Sequence, residues 1–289
     1  MSYKIVTDSS ANLPLDIINK YDVDIISLAF YVKGQEYFSY IKGREVDLKP
    51  FYTMMRNKEL ATTSLVSRRE CYNVFKKILD QGYDLIYIGF SSGLSGSFHV
   101  GASILEELRE SYPDRKIMHI DSLAAEMGQG LLVYHALKQQ ESGCTIDEVY
   151  HWQMQNRLHL CHWFTVEDLL FLKRGGRLSA AAAVFGTILS IKPVMHIDDG
   201  GRLVPMAKVR GRKTSLDALV DRMEATAIEP TEQTVFISHG DCLEDAEYVS
   251  RQVQERLGVK EIRIGIIEPV IGSHAGPGTI ALFFLGTER

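Results

Sequence analysis

The feature that most restricts the fold of this chain is an alternation. Short apolar runs ending in serine, aspartate or glycine are followed by longer segments of helical spacing. Residues 4–7 read as a strand stopping at Asp8-Ser9-Ser10, and Asn12-Leu13-Pro14 opens a helix whose first turn tolerates a proline because its N–H has no partner there anyway. Residues 84–90 form a second β-rich run, Ser91-Ser92-Gly93-Leu94-Ser95-Gly96 a tight polar turn, and residues 98–110 an amphipathic helix. Residues 116–120 repeat the theme and end at Asp121-Ser122. Strand followed by helix, repeated, predicts a parallel α/β sheet, and open sheets of that class place ligands beyond the carboxyl ends of their strands.

Near His159 the texture changes. Residues 159–164 and 169–172 read as short strands, followed by Lys173-Arg174-Gly175-Gly176-Arg177. Residues 191–196 and 203–209 flank Asp198-Asp199-Gly200-Gly201, a turn-rich tetrad that predicts a β-hairpin and hence antiparallel pairing. Residues 214–227 and 243–257 read as helices, 234–238 and 262–267 as strands, and 279–285 as a final apolar segment. The division expected is an N-terminal parallel-sheet α/β domain over residues 1–158 and a C-terminal mixed α/β domain with antiparallel strands over 159–289.

Composition narrows the function. At 289 residues, 45% hydrophobic and 24% charged, the chain can bury a sizeable core without staples. The net charge of -5, from 37 acidic against 32 basic residues, offers no global positive field for nucleic acid. No apolar run approaches the ~18 residues of a membrane span, and Met1-Ser2-Tyr3-Lys4 leads straight into the first strand without a leader-like stretch, so a cytoplasmic protein is expected. Cys71, Cys144, Cys161 and Cys242 are scattered without CxxC spacing, which suits a reducing compartment.

Gly89-Phe90-Ser91-Ser92-Gly93 matches GxSxG between strand and helix, and Ser91, Asp241 and His274 follow in the order a hydrolase triad needs. Gly93 and Gly96 delay the helix, however, so the simpler reading is a glycine-rich turn whose amides and hydroxyls hold an anion. Serine hydrolase or acyl transferase chemistry at Ser91 and His274 stands as the alternative. Gly276-Pro277-Gly278-Thr279-Ile280-Ala281 imitates a dinucleotide fingerprint without the following helix, strand and acid, and no GxxxxGK[ST] loop occurs, so no nucleotide cofactor is expected. Those glycines instead let backbone approach closely, with His274 presented from the preceding turn.

His159-Leu160-Cys161-His162 is metal-like in composition, but strand alternation places His159 and Cys161 on one face and His162 on the other, so no metal site is expected. Arg174, Arg177, Arg202, Lys208, Arg210, Arg212 and Lys213 gather around the hairpin as a local basic patch, either a solvated surface or a docking face for an acidic partner. Thr62-Thr63-Ser64 reads as a loop before a helix capped by Ser67, with Glu70 completing a capping box, and Cys71 as a small buried hydrophobe.

Taken in order, residues 3–14, the 91–96 turn, Ile120-Asp121-Ser122-Leu123 with Met127-Gly128-Gln129-Gly130, residues 172–179 and residues 272–278 resemble the DegV family along essentially the whole chain. The resemblance implies a two-domain DegV-like α/β fold holding one long-chain fatty acid between its domains. It further implies a non-catalytic acyl-binding subunit of a bacterial fatty acid kinase, presenting the carboxylate to a separate ATP-binding kinase subunit for acyl-phosphate formation and phospholipid synthesis. Thr63, Ser91, Ser92 and His274 then become the carboxylate-binding residues, and Arg177 with Arg202 the ligand mouth or kinase contact. The fatty acid is the ligand and no cofactor is carried; a transient membrane contact is compatible with such a role. A regulator or structural adaptor is the third expectation to be weighed. Many relatives continue Thr-Ser with Gln-Pro, where this chain has Leu65-Val66.

Overall fold

The structure is a computed structural model and describes residues 2–43, 47–178 and 191–289. In chain order the N-terminal half runs β1 (Tyr3–Asp8), α1 (Leu15–Tyr21), β2 (Asp24–Ile26), β3 (Ala29–Val32), β4 (Gln35–Phe38), α2 (Lys49–Arg56), β5 (Ala61–Thr63), α3 (Arg68–Asp80), β6 (Asp84–Gly89), α4 (Ser97–Ser111), β7 (Ile117–Asp121), α5 (Glu126–Glu141) and α6 (Ile146–Asn156). There follow β8 (Leu160–Thr165), α7 (Leu170–Arg174), β9 (Ile191–Ile197), β10 (Leu203–Arg210), α8 (Arg212–Thr226), β11 (Thr234–His239), α9 (Leu243–Leu257), β12 (Glu261–Ile266), α10 (Pro269–Ala275) and β13 (Ile280–Leu285).

The strands form a parallel sheet β2-β1-β6-β7, a mixed sheet β10-β9-β8-β13-β11-β12 and a small antiparallel sheet β4-β3-β5. The parallel and mixed sheets are those of the expected fold class, the hairpin β9–β10 included. Helix α5 touches β1 and β6 on one side and β8, β11 and β13 on the other, so it is a middle layer shared by both sheets. One apolar cluster accordingly runs from Ile5 and Ile88 through Met127 and Leu131 to Phe236 and Phe283. A second fills the far side of the parallel sheet with Phe75, Tyr87 and Ile104, and a third lies under α8 and α9 with Leu219, Val235 and Val249. Cys71 is fully buried in the second cluster, as a small hydrophobe should be.

Polar joints lock the carboxyl ends of the parallel strands. The buried Asp8 carboxylate accepts from Ser10 N–H (3.2 Å), Phe90 N–H (3.1 Å) and Tyr87 Oη (3.2 Å), while Gln129 Nε2 reaches Thr7 Oγ1 at 3.0 Å. These bonds tie β1, β6 and α5 together at the place where the site lies. Asn12, in the left-handed region at φ 43°, donates to Ile266 O at 2.8 Å and joins the first strand-helix turn to the mixed sheet.

Four local expectations are corrected. Residues 169–172 are not a strand: Leu170 to Arg174 form α7, because the Asp168 carboxylate accepts from Leu170 N–H (2.8 Å) and starts a helical turn. Thr62 and Thr63 belong to β5, paired with β3, rather than to a loop. Ser67 does cap α3, but the Glu70 carboxylate accepts from Ser27 N–H (3.3 Å) instead of turning back to Ser67, so a full capping box forms only at Thr145 and Glu148 among the described residues. His274 stands on α10, capped by Glu268, rather than on a turn. Ser179, the last residue of the 172–179 segment, lies outside the described residues.

The hairpin loop rests on the 91–96 turn. Ser91 Oγ donates to Gly201 O at 2.7 Å and accepts from Gly93 N–H at 3.2 Å. A Cβ on Gly93 would run into the backbone carbonyls of Gly200 and Gly201, neither of which is the end of a flexible side chain. Gly93→Ala is therefore expected to lower unfolding stability by about 1–3 kcal/mol, the usual cost of overpacking. Equilibrium urea denaturation measures it, and an unchanged midpoint would mean that the loop does not sit on Gly93.

Candidate functional site

Between the mixed sheet, the start of α5 and the hairpin lies a cavity of about 350 Å³. That is within the ~300–1,000 Å³ typical of small-molecule sites. Its floor is the sheet face carrying Phe164, Ala281 and Phe283, and its walls are Phe90, Leu94 and Ala125. Ile197 and Leu203, either side of the hairpin loop, close it from above. The register explains the floor: Ala281 pairs with Phe164 and Phe283 with His162, so side chains two apart on β13 and β8 share one face.

At one end Thr63, His274 and Arg177 come together, with Leu65 48% exposed at the rim. Thr63 is set by β5 and His274 by α10, and their side chains meet at 2.9 Å between Thr63 Oγ1 and His274 Nε2. His274 Nδ1 is buried and finds no partner among the described residues. Burial, with the Arg177 charge adding to it, holds the imidazole down to about 4, so it is neutral near pH 7. A Cβ on Gly175 would strike His274 Nδ1, so the glycine of the Gly-Gly-Arg turn gives the ring its room. Arg177 is half-buried; its Nε donates to Leu94 O at 3.3 Å and its Nη1 to Gly175 O at 2.5 Å, and desolvation lowers its pKa.

The structure does not bring every expected residue to this end. Ser91 and Ser92 are not among the cavity-lining residues: the Ser91 hydroxyl is spent on Gly201 O, and Ser92 N–H donates to Asp121 Oδ1 at 3.1 Å. Arg202 is exposed beside the hairpin loop, its N–H on Asp198 Oδ1 at 2.9 Å. The serine of this turn that does line the cavity is Ser95, one helical turn beyond Ser91, whose N–H donates to Ser91 O at 3.1 Å. Spacing alone does not pick Ser95 out, since a turn returning after four residues sets it level with Ser91, whose hydroxyl is taken by the hairpin loop. Ser64 joins it on the lining.

The triad geometry is not assembled. Ser91 bonds to Gly201, His274 to Thr63, and Asp241 forms an ion pair with Arg56. The described residues contain no group of three metal-ligating side chains; Cys161 packs in the outer cluster while His162 faces the cavity, the opposite-face placement that alternation implies. No described helix is long and apolar enough to cross a membrane. Within the basic patch, Arg212 is paired with Asp245 at 2.7 Å, Lys213 lies over the Tyr248 ring and Arg174 over Phe171.

His274 carries a stability consequence. Its folded pKa is depressed from 6.5 to about 4, so between those values the unfolded chain takes up a proton that the folded chain refuses. Its contribution is whole above pH about 6.5 and is lost as pH falls toward about 4. Denaturation at a series of pH values should show a smaller acid loss in His274→Gln than in the unaltered chain, and superimposable slopes would contradict the burial. Thr63→Val leaves both ring nitrogens without a partner, and the same measurement should show it about 1–3 kcal/mol less stable near neutral pH.

The sequence profile of the family described as uncharacterised protein, DegV family, matches residues 2–287. A DegV domain-containing protein of Clostridium perfringens is 43% identical over 287 residues, covering 99% of this chain and 98% of that protein. Among solved structures, a Thermus thermophilus DegV family protein described by its fatty acid binding superposes with a TM-score of 0.88 at 28% identity, over 99% of this chain and all of that one. A DegV lipid binding protein of Thermotoga maritima gives a TM-score of 0.87 at 26% identity, with both chains covered completely. A family match over nearly every residue, a relative 43% identical over the same span and full-length superposition on solved members place this chain in the DegV family.

Proposed function

We propose that this chain binds one long-chain fatty acid in the cavity, between the parts formed by residues 1–158 and 159–289, and presents its carboxylate to a separate ATP-binding kinase subunit. The observation that carries the reading is a mainly apolar cavity at one end of which Thr63, His274 and Arg177 come together. The lipid-binding character of the Thermus and Thermotoga relatives supports it.

The physics suits such a ligand. Each buried methylene contributes ~0.8 kcal/mol, so a dozen supply about 10 kcal/mol before ordering costs. The carboxylate cannot be stripped of water without donors. Thr63 Oγ1, His274 and the Arg177 guanidinium are the nearest supply, and Ser95 of the 91–96 turn extends it. In this reading Ser91 and Ser92 act through the turn: Ser91 fixes the hairpin and Ser92 holds the loop at Asp121, which keeps the donors aimed. A carboxylate oxygen left accessible beside Arg177 can attack the γ-phosphoryl group of ATP on the partner, forming the acyl phosphate as the bond to the departing ADP breaks, a step in which catalysis is mainly positioning and charge stabilisation. Arg202 and the exposed basic residues of β10 then face the kinase side.

Solvent extraction of the purified chain followed by mass spectrometry should return a long-chain fatty acid near one per chain, and a chain free of lipid that takes none up would sink the proposal. Fluorophosphonate should leave Ser91 unlabelled; stoichiometric labelling would move the assignment to the hydrolase alternative. His274→Ala is expected to weaken fatty acid binding about tenfold or more, the loss of a bond to a charged group. Arg177→Ala should depress kinase-coupled turnover more than lipid retention, and the reverse order would reassign Arg177 to the ligand grip.

A further inference from the structure

The end of the cavity away from His274 is not apolar. His162 lies two residues deeper along β8 than Phe164, a step of about 6.6 Å along the strand. It is 2% exposed, and its Nε2 finds no partner among the described residues. The ring is clamped: it meets Phe283 edge-on at 5.0 Å, and a Cβ on Gly128 would collide with its Cε1 and Nε2. Gly128 is thus the residue that leaves space for an imidazole against the first turn of α5. Burial keeps that imidazole neutral.

The same turn supplies a second polar group. Glu126 lines the cavity with φ 58°, a left-handed conformation that costs a non-glycine residue of order 1–3 kcal/mol and that gathers at functional sites. Its carboxyl accepts from Asn12 Nδ2 (2.5 Å) and from Met127 N–H, and burial raises it to about 7. The Ser238 hydroxyl, also on the lining, lies beside it. An unsubstituted acyl tail laid here would leave the His162 nitrogen unpaired or trap a water against hydrocarbon, and either carries a desolvation cost. A neutral group that both donates and accepts would suit this nitrogen in whichever tautomer the ring adopts.

We propose that this inner end is a hydroxyl-binding subsite, with His162 Nε2 as the partner, so that the preferred ligands are long-chain fatty acids carrying a hydroxyl on the tail. The inference rests on the acyl-binding reading above and refines its substrate class. It places two polar ends on one apolar cavity, the outer for the carboxylate and the inner for the tail oxygen.

Delipidated full-length chain is titrated with stearate and with positional isomers of hydroxystearate, from mid-chain to terminal. At least one isomer should bind about 3- to 10-fold more tightly than stearate, the range one net hydrogen bond supplies. His162→Leu should bring that ratio toward one. If stearate binds and every isomer binds equally or more weakly, the hydroxyl subsite is wrong while the acyl reading survives. If a preference persists undiminished in His162→Leu, the assignment to His162 is wrong. If neither stearate nor any isomer binds, both readings fall together. Should His162→Leu not fold, the ranking of stearate against its hydroxylated isomers on the unaltered chain still supports or overturns the subsite.

Discussion

Where the 91–96 turn carries the hairpin loop, two backbones approach closely enough that no side chain fits between them. Gly93 makes the approach possible, and the Ser91 hydroxyl on Gly201 O holds it. That joint sets Ile197 and Leu203 over the sheet, where both line the cavity. Protein interiors normally pack to crystal-like density, so a cavity of about 350 Å³ lined by side chains of both halves departs from ordinary core packing. The middle-layer helix α5 sharpens the point: it packs fully against both sheets along most of its length, and the hollow appears only beside its first turn.

The two ends of that hollow are chemically distinct. At the outer end a neutral histidine, a threonine and a half-buried arginine can receive negative charge. At the inner end the histidine, kept neutral by burial, does not receive charge readily but can share a hydrogen bond. An amphiphile entering from solvent is oriented by this difference, acid outward and tail inward, before any specific contact is counted.

Much of the architecture was legible in the chain. The β1 and β6 units and the β9–β10 hairpin announce themselves through apolar runs that end in turn residues. Helix α5 did not, because its first half is buried on every side, Glu126 and Gln129 included, and so shows no one-sided apolar stripe. The β4-β3-β5 sheet was hidden for the opposite reason: its strands are three or four residues long and β4 is exposed throughout, so no alternation is left to read. At the site, Thr63, His274 and Arg177 could be named by resemblance, but which serine of the 91–96 turn faces the cavity depends on how the turn closes, and that selects Ser95. His162 shows the limit most clearly. Alternation gives the face of β8 on which it lies, while what stands opposite is decided by Gly128, over thirty residues earlier.

The central claim is that a fatty acid carboxylate is held, ionised, by Thr63, His274 and Arg177. Carbon-13 NMR of palmitate labelled at its carboxyl carbon tests it most directly. The account predicts one bound resonance in slow exchange, insensitive to pH across the range in which free fatty acid titrates, and displaced in His274→Gln. A bound resonance that titrates as free acid does, or one unmoved by that substitution, would contradict it.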